Sequence, residues 1–257
     1  MLKLAITGKG GVGKTTLAAL LAHVFAERGH QVLAIDADPA MGLAAACGVP
    51  PDEAEAITPV ADMEDLIYER TGARKGEIGG FFKLNPRVDD IPERFALARD
   101  GIRILTMGTV KTGGTGCLCP ENALLRSLVT HLLLRRDEVL IMDMEAGVEH
   151  LGRGTAGAVD ALIVVVEPGR RSIQTAHAIR GLAADLGIRQ LYAVGNKVRT
   201  PADEAFITEQ LPDLTVLAFL PADAQAIESD RRGVAVFEVA PELVKQARSI
   251  VDRLTPL

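Results

Sequence analysis

A glycine-rich run with two lysines, Gly8-Lys9-Gly10-Gly11-Val12-Gly13-Lys14-Thr15-Thr16, carries the most chemistry in this chain. Residues 8–15 fit the pattern G-x-x-x-x-G-K-[ST], in which backbone N–H groups curl around phosphates and the helix that follows adds its positive end. Lys14 then reaches the outer phosphates and Thr15 ligates Mg²⁺. The ordinary pattern has no use for Lys9. Downstream, Asp36-Ala37-Asp38-Pro39 brings two carboxylates together: Asp38 suits activation of a water, or holding one on Mg²⁺, whereas Asp36 supports it or caps the next segment as a turn former. Ile141-Met142-Asp143 ends an apolar run in an acid placed to act on Mg²⁺ through its water, and Gly147 would let the backbone approach a terminal phosphate closely.

Two thiols, Cys117 and Cys119, form a second group in Gly116-Cys117-Leu118-Cys119-Pro120-Glu121-Asn122. Cysteines one residue apart are poorly placed for an internal disulfide. Pro120 and Glu121 suit the first turn of a helix over 122–134, whose positive end favours metal-binding thiolates. A tetrahedral soft metal usually takes four ligands, so two chains meeting at a symmetry axis would complete a site for nickel or zinc. Buried, incidental cysteines are the competing reading. Cys47 lies among small residues and reads as packing, and His150 as a histidine of an interface or helix start, because it lacks metal-ligand spacing.

These groups need a scaffold. Short apolar runs at 2–6, 31–35, 102–105, 138–142, 161–166, 191–194 and 215–219 alternate with helical segments such as 17–28 and 172–186. Near-continuous apolar strands predict an α/β fold: one domain over 1–257, with a mostly parallel central sheet and helices on both faces. Ligands in such a sheet gather at the carboxyl ends of the strands, where the glycine loop, Asp38 and Asp143 fall. The stretch 49–100 is different, with Pro50-Pro51, many acids and Gly79-Gly80, and it predicts an insertion of helix and loop without a sheet strand.

With its second lysine, the loop from Gly8 to Thr15 resembles the deviant phosphate loop of the MinD, ParA and nitrogenase-iron-protein class of ATPases. The resemblance implies ATP and Mg²⁺ as ligands, and contacts from Gly8, Gly10, Gly11, Val12, Gly13 and Thr16. It implies that Lys9 crosses to the phosphates of a partner subunit and that Asp38 orients or activates the attacking water, so that Lys9, Lys14 and Asp38 form the catalytic set. Asp36 and Asp143 support it. Asn196-Lys197, placed after the strand 191–194, resembles the base-contacting segment of the class, with an asparagine turn as the rival reading. Ala40-Met41-Gly42 departs from the asparagines common after the first acidic motif. Taken with Cys117 to Asn122 and with Asp143-Met144-Glu145-Ala146-Gly147-Val148-Glu149-His150-Leu151-Gly152-Arg153-Gly154-Thr155, the chain resembles, from Lys3 to about Arg232, the CooC-type nickel-insertion ATPases. Those ATPases mature carbon monoxide dehydrogenase or the related acetyl-CoA synthase. The resemblance implies ATP-dependent dimerisation, nickel or zinc between paired cysteine motifs, and delivery to the client enzyme.

Composition narrows the alternatives. The 257 residues carry a formal charge of −6, which disfavours global attraction to nucleic acid or anionic lipid. No apolar run approaches the ~20 residues of a membrane span, and the start of the chain does not read as a secretory signal, so a cytoplasmic location is expected. A partitioning or division-site ATPase would share every phosphate-site residue, yet 242–254 mixes charges without aromatics, unlike a basic membrane-surface helix, and no basic cluster suggests DNA binding. A nitrogenase-type electron donor would take its cluster cysteines from separate segments, and no cysteine follows Cys119.

Overall fold

The computed structural model describes residues 2–76, 81–108, 119–135, 138–148, 151 and 153–254. The strands are β1 (Lys3–Gly8), β2 (Val32–Ala37), β3 (Leu97–Arg99), β4 (Ile102–Thr106), β5 (Val139–Met144), β6 (Ala161–Val166), β7 (Leu191–Val198) and β8 (Thr215–Pro221). Between and after them run α1 (Lys14–Glu27), α2 (Leu43–Ala46), α3 (Pro51–Glu55), α4 (Glu64–Thr71), α5 (Ile91–Phe95), α6 (Pro120–Arg135), α7 (Arg153–Ala156), α8 (Arg170–Leu186), α9 (Pro201–Gln210), α10 (Ala224–Arg232), α11 (Val236–Val239) and α12 (Pro241–Leu254).

One eight-stranded sheet, in the order β3-β4-β2-β5-β1-β6-β7-β8, organises the chain. Every pairing is parallel except β3 with β4. The central strands are apolar on both faces because both are covered. In β6, Ala161, Ile163 and Val165 point into the core under α1 and α12, while Leu162, Val164 and Val166 point into the one beneath α6 and α8. This alternation follows from the two-residue period of a strand. Among the described residues no helix is long and apolar enough to cross a membrane.

The expectation of no sheet strand within 49–100 is corrected by β3. Leu97–Arg99 pairs antiparallel with β4, Arg99 opposite Ile102. The two-residue link is Asp100-Gly101, with φ of 48° and 80°. Positive φ at both central positions defines a type I′ turn, whose twist matches that of antiparallel strands. The other described residues of the stretch form helices and loops.

Topology decides where Cys119, at the start of α6, lies. Chain leaving the carboxyl end of β4 must return through α6 before β5 can run parallel to β2. The start of α6 therefore lies towards the carboxyl edge of the sheet, the edge that bears the glycine loop.

Candidate functional site

Three neighbouring strands deliver the site. β5 lies between β1 and β2, with Asp143 in register with Ile6 on one side and Asp36 on the other. β1 closes with Gly8, whose φ of 147° and proximity to β6 exclude a side chain: a Cβ would stand 2.4 Å from the Val165 carbonyl oxygen. At the far end of the loop Gly13 has φ 97°, and a Cβ there would stand 2.2 Å from the Asn196 amide nitrogen. Both positions require glycine. α1 then starts at Lys14 with its N-terminus in the loop.

Lys14 is buried and its Nζ stands 3.4 Å from Asp38 Oδ2. Asp38 Oδ1 accepts from the backbone N–H of Ala40 at 3.0 Å, so this carboxylate both forms its turn and faces the loop lysine. Asp36 is deeper. Its two oxygens accept from the N–H groups of Asp38 and Leu43 at 3.2 and 2.9 Å, which ties the turn and the start of α2 to the end of β2. These hydrogen bonds agree with the turn-forming reading of Asp36.

The Thr15 hydroxyl donates to Asp143 Oδ2 at 2.6 Å. Asp143 is fully buried, and its Oδ1 has no hydrogen-bond partner among the described residues. Burial pushes the Asp143 carboxyl up to about 7, against the opposing effect of the Thr15 hydrogen bond. Asp36 is pushed up to about 6, again by burial, with the N–H groups of Leu43 and Asp38 pulling the other way. Two buried acids in register, beside a hydroxyl and an unsatisfied carboxylate oxygen, form a donor set suited to a hard divalent cation.

Asn196 does not follow β7 but lies inside it, because that strand runs on to Val198 with an irregularity between Gly195 and Val198. Its amide nitrogen donates to the Val12 carbonyl at 2.7 Å and its Oδ1 accepts from the Lys197 N–H at 2.8 Å. Lys197, at φ 57°, donates from Nζ to the Gly11 carbonyl at 2.6 Å. Both residues brace the outside of the glycine loop.

Two residues absent from the sequence reading take part. The Glu167 carboxylate receives Lys9 Nζ at 3.0 Å and lies 3.8 Å from Lys197 Nζ. Thr7, fully buried, places its hydroxyl 2.8 Å from the carbonyl oxygens of both Glu145 and Gly147. Gly147 itself donates its N–H to the Glu145 carbonyl at 2.8 Å and to the Thr7 hydroxyl at 3.1 Å. The only local signals were a hydroxyl before the glycine loop and an acid after β6.

Cys119 immediately precedes α6, and its carbonyl accepts from the Ala123 N–H at 3.1 Å, the first turn of that helix. The residue is buried and lines a cavity of about 270 Å³ with Phe82, Leu84, Asn85, Asn122, Ala123 and Arg126. Cys117, Glu149 and His150 lie outside the described residues. Among those described, no group of three or more His, Cys, Asp or Glu could hold a metal. Cys47 is fully buried in the core beside α1, and its thiol is pushed up to about 12 by that burial, consistent with packing.

The family model of the CobQ/CobB/MinD/ParA nucleotide binding domain matches residues 3–236. The chain is 46% identical over 253 residues to the carbon monoxide dehydrogenase accessory protein CooC of Rhodospirillum rubrum, covering 98% of this chain and 96% of that one. It is a CooC-type member of that nucleotide-binding family. An uncharacterized ATP-binding protein of Methanocaldococcus jannaschii is also 46% identical, over 90% of each chain. Among solved structures, a ParA family ATPase from Chlorobium tepidum superposes with a TM-score of 0.69 at 17% identity, covering 99% of this chain and 98% of that one. The MinD cell division protein of Aquifex aeolicus superposes with 0.67 at 19% identity over 98% of each chain. This CooC-type chain thus has the P-loop fold of those ATPases.

Proposed function

We propose that the chain is an ATP-dependent metallochaperone: a Mg²⁺-dependent ATPase that holds nickel or zinc between two copies of itself and assists nickel insertion into carbon monoxide dehydrogenase or acetyl-CoA synthase. The observation that carries this reading is a single one. Likeness to a carbon monoxide dehydrogenase accessory protein extends over 98% of this chain, a span that takes in the position of the cysteine segment, which nucleotide chemistry alone does not call for. A MinD/ParA-like switch without metal would leave Cys117 and Cys119 without a task.

The chain's own groups suggest the order of events. Arriving phosphates compete with Asp38 for Lys14, which draws the lysine onto the nucleotide and leaves the Asp38 carboxylate to orient or activate a water. Thr15 and Asp143 would hold Mg²⁺, which when bound would neutralise phosphate charge. Lys9, released from Glu167, would reach the phosphates of a second copy and stabilise the charge that develops there. Cys117 and Cys119 of each copy would supply two thiolates apiece to the transported metal.

Metal content and stoichiometry, measured with and without ATP, test the proposal. One nickel or zinc per two chains, in four-sulfur coordination by X-ray absorption and lost in Cys117→Ala or Cys119→Ala with ATPase activity largely retained, is the expected result. One ion per chain, or binding indifferent to both cysteines, would refute the shared site.

A further inference from the structure

The ladder between β5 and β1 ends at Asp143, Ile6 being the last β1 residue paired with it, and β5 runs one residue further, to Met144, paired only with Ala37 of β2. The next side chain along β1, Thr7, takes over. One hydroxyl meets three backbone groups of the loop that follows β5: the carbonyls of Glu145 and Gly147, both at 2.8 Å, and the Gly147 N–H at 3.1 Å. Thr7 also directly precedes Gly8, whose backbone is pressed against Val165 of β6. This hydroxyl is therefore fixed to the base of the glycine loop on one side and to the loop 145–147 on the other.

A hydroxyl has one proton to give, and here two equidistant carbonyls compete for it. Either can keep it while the other departs. The Gly147 N–H, the donor this loop could turn towards a terminal phosphate, is engaged within the chain by Glu145 and Thr7. If Gly147 turns away, rotation of the hydroxyl onto Glu145 keeps a buried group satisfied.

We propose that Thr7 is the positioning residue of the second switch. Its hydroxyl holds Glu145 to Gly147 in register with the glycine loop and acts as the swivel about which Gly147 turns when a triphosphate arrives. The inference rests on the ATPase reading and concerns neither binding of the diphosphate nor the transported metal.

Thr7→Val, which keeps the shape and removes the hydroxyl, and Thr7→Ser, which keeps the hydroxyl, separate the possibilities in the full-length chain. ADP affinity, ATP turnover and backbone amide exchange across residues 144–148 are measured for each beside the wild type. In Thr7→Val we expect ADP affinity within about twofold of wild type, turnover lowered about tenfold or more, and faster exchange at 145–147 without nucleotide. Thr7→Ser restores both to within about threefold. Turnover and exchange unchanged in Thr7→Val would overturn the proposal. So would ADP affinity falling in step with turnover, or exchange rising throughout the chain, either of which marks a general folding role. Lack of turnover in the wild type would instead sink the ATPase reading, and the exchange at 145–147 would still decide whether Thr7 holds the loop.

Discussion

Lys9 reaches back to Glu167 of its own chain, Nζ to Oε1 at 3.0 Å. Glu167 directly follows β6, its N–H donates to the buried Ser172 hydroxyl of α8 at 3.1 Å, and its second oxygen lies 3.8 Å from Lys197. A lysine proposed to act on a partner's phosphates is thus held at home by an anchored carboxylate. Both side chains keep roughly a third of their exposure, so such a pair contributes about 0–1 kcal/mol. Each dimer releases two such pairs, one per copy, so their loss would shift a dimerisation equilibrium by no more than about 30-fold. In Glu167→Gln, prepared together with Asp38→Ala to keep ATP intact, sedimentation should show dimers at lower ATP than in Asp38→Ala alone, within that range. Dimerisation that weakens would show that Glu167 assists assembly rather than restraining Lys9. Lys9→Ala should lose the ATP-induced dimer while still binding ATP.

Asp38 and Lys14 make a second test. Asp38→Ala removes the carboxylate that faces Lys14 at 3.4 Å and leaves the glycine loop untouched. Bound ATP should persist, with turnover lowered about 10²- to 10⁴-fold, the usual contribution of a positioned base. Turnover at the wild-type rate would remove Asp38 from the catalytic set. Lys14→Ala should lose nucleotide binding itself.

A pH dependence follows from the buried acids. Asp143 and Asp36 titrate near 3.8 when unperturbed and are pushed up to about 7 and about 6 in the fold. Between those limits the folded chain keeps protons that the unfolded chain has lost, so these groups make stability fall as pH rises from about 4 to about 7 and then level off. Asp143→Asn imitates the protonated form and removes its share of the slope. Without Mg²⁺ and nucleotide, the melting temperature of the wild type should decline relative to Asp143→Asn between about pH 5 and about pH 8. Parallel curves would show that Asp143 is not held protonated.

What the residues disclosed beforehand and what they concealed divides along sequence distance. The glycine loop, Asp36, Asp38 and Asp143 were legible because each closes an apolar strand, and a parallel sheet gathers such strand ends at one edge. β3 was missed although Asp100-Gly101 is a strong hairpin signal, because a three-residue strand has too few positions to display alternation. Asn196 was placed beyond its strand because Gly195 and the charge on Lys197 break the apolar pattern, while the backbone pairs on as far as Val198. Thr7 and Glu167 could not be read at all. Their partners Gly147 and Lys9 lie 140 and 158 residues away, and only the finished sheet brings them together.

The last prediction concerns coupling between nucleotide and metal. Cys119 immediately precedes α6, α6 is the element before β5, and Asp143, next to last in β5, accepts the hydrogen bond from Thr15 of the glycine loop. One helix and one strand therefore join Cys119 to the phosphate site, and the start of α6 lies towards the edge of the sheet that bears the glycine loop. A shift of the Asp143 to Gly147 segment on phosphate binding would be passed to the start of α6, or to the way two copies pack against each other. Linkage makes the effect reciprocal: whatever factor ATP applies to metal affinity, metal applies to ATP affinity, typically about 5- to 150-fold. Nickel or zinc titrated into Asp38→Ala with ATP, with ADP and without nucleotide should give affinities that differ by such a factor. ATP titrated with and without metal should return the same factor. Equal metal affinity in all three states would uncouple the sites at equilibrium and leave ATP a role only in docking to the client enzyme.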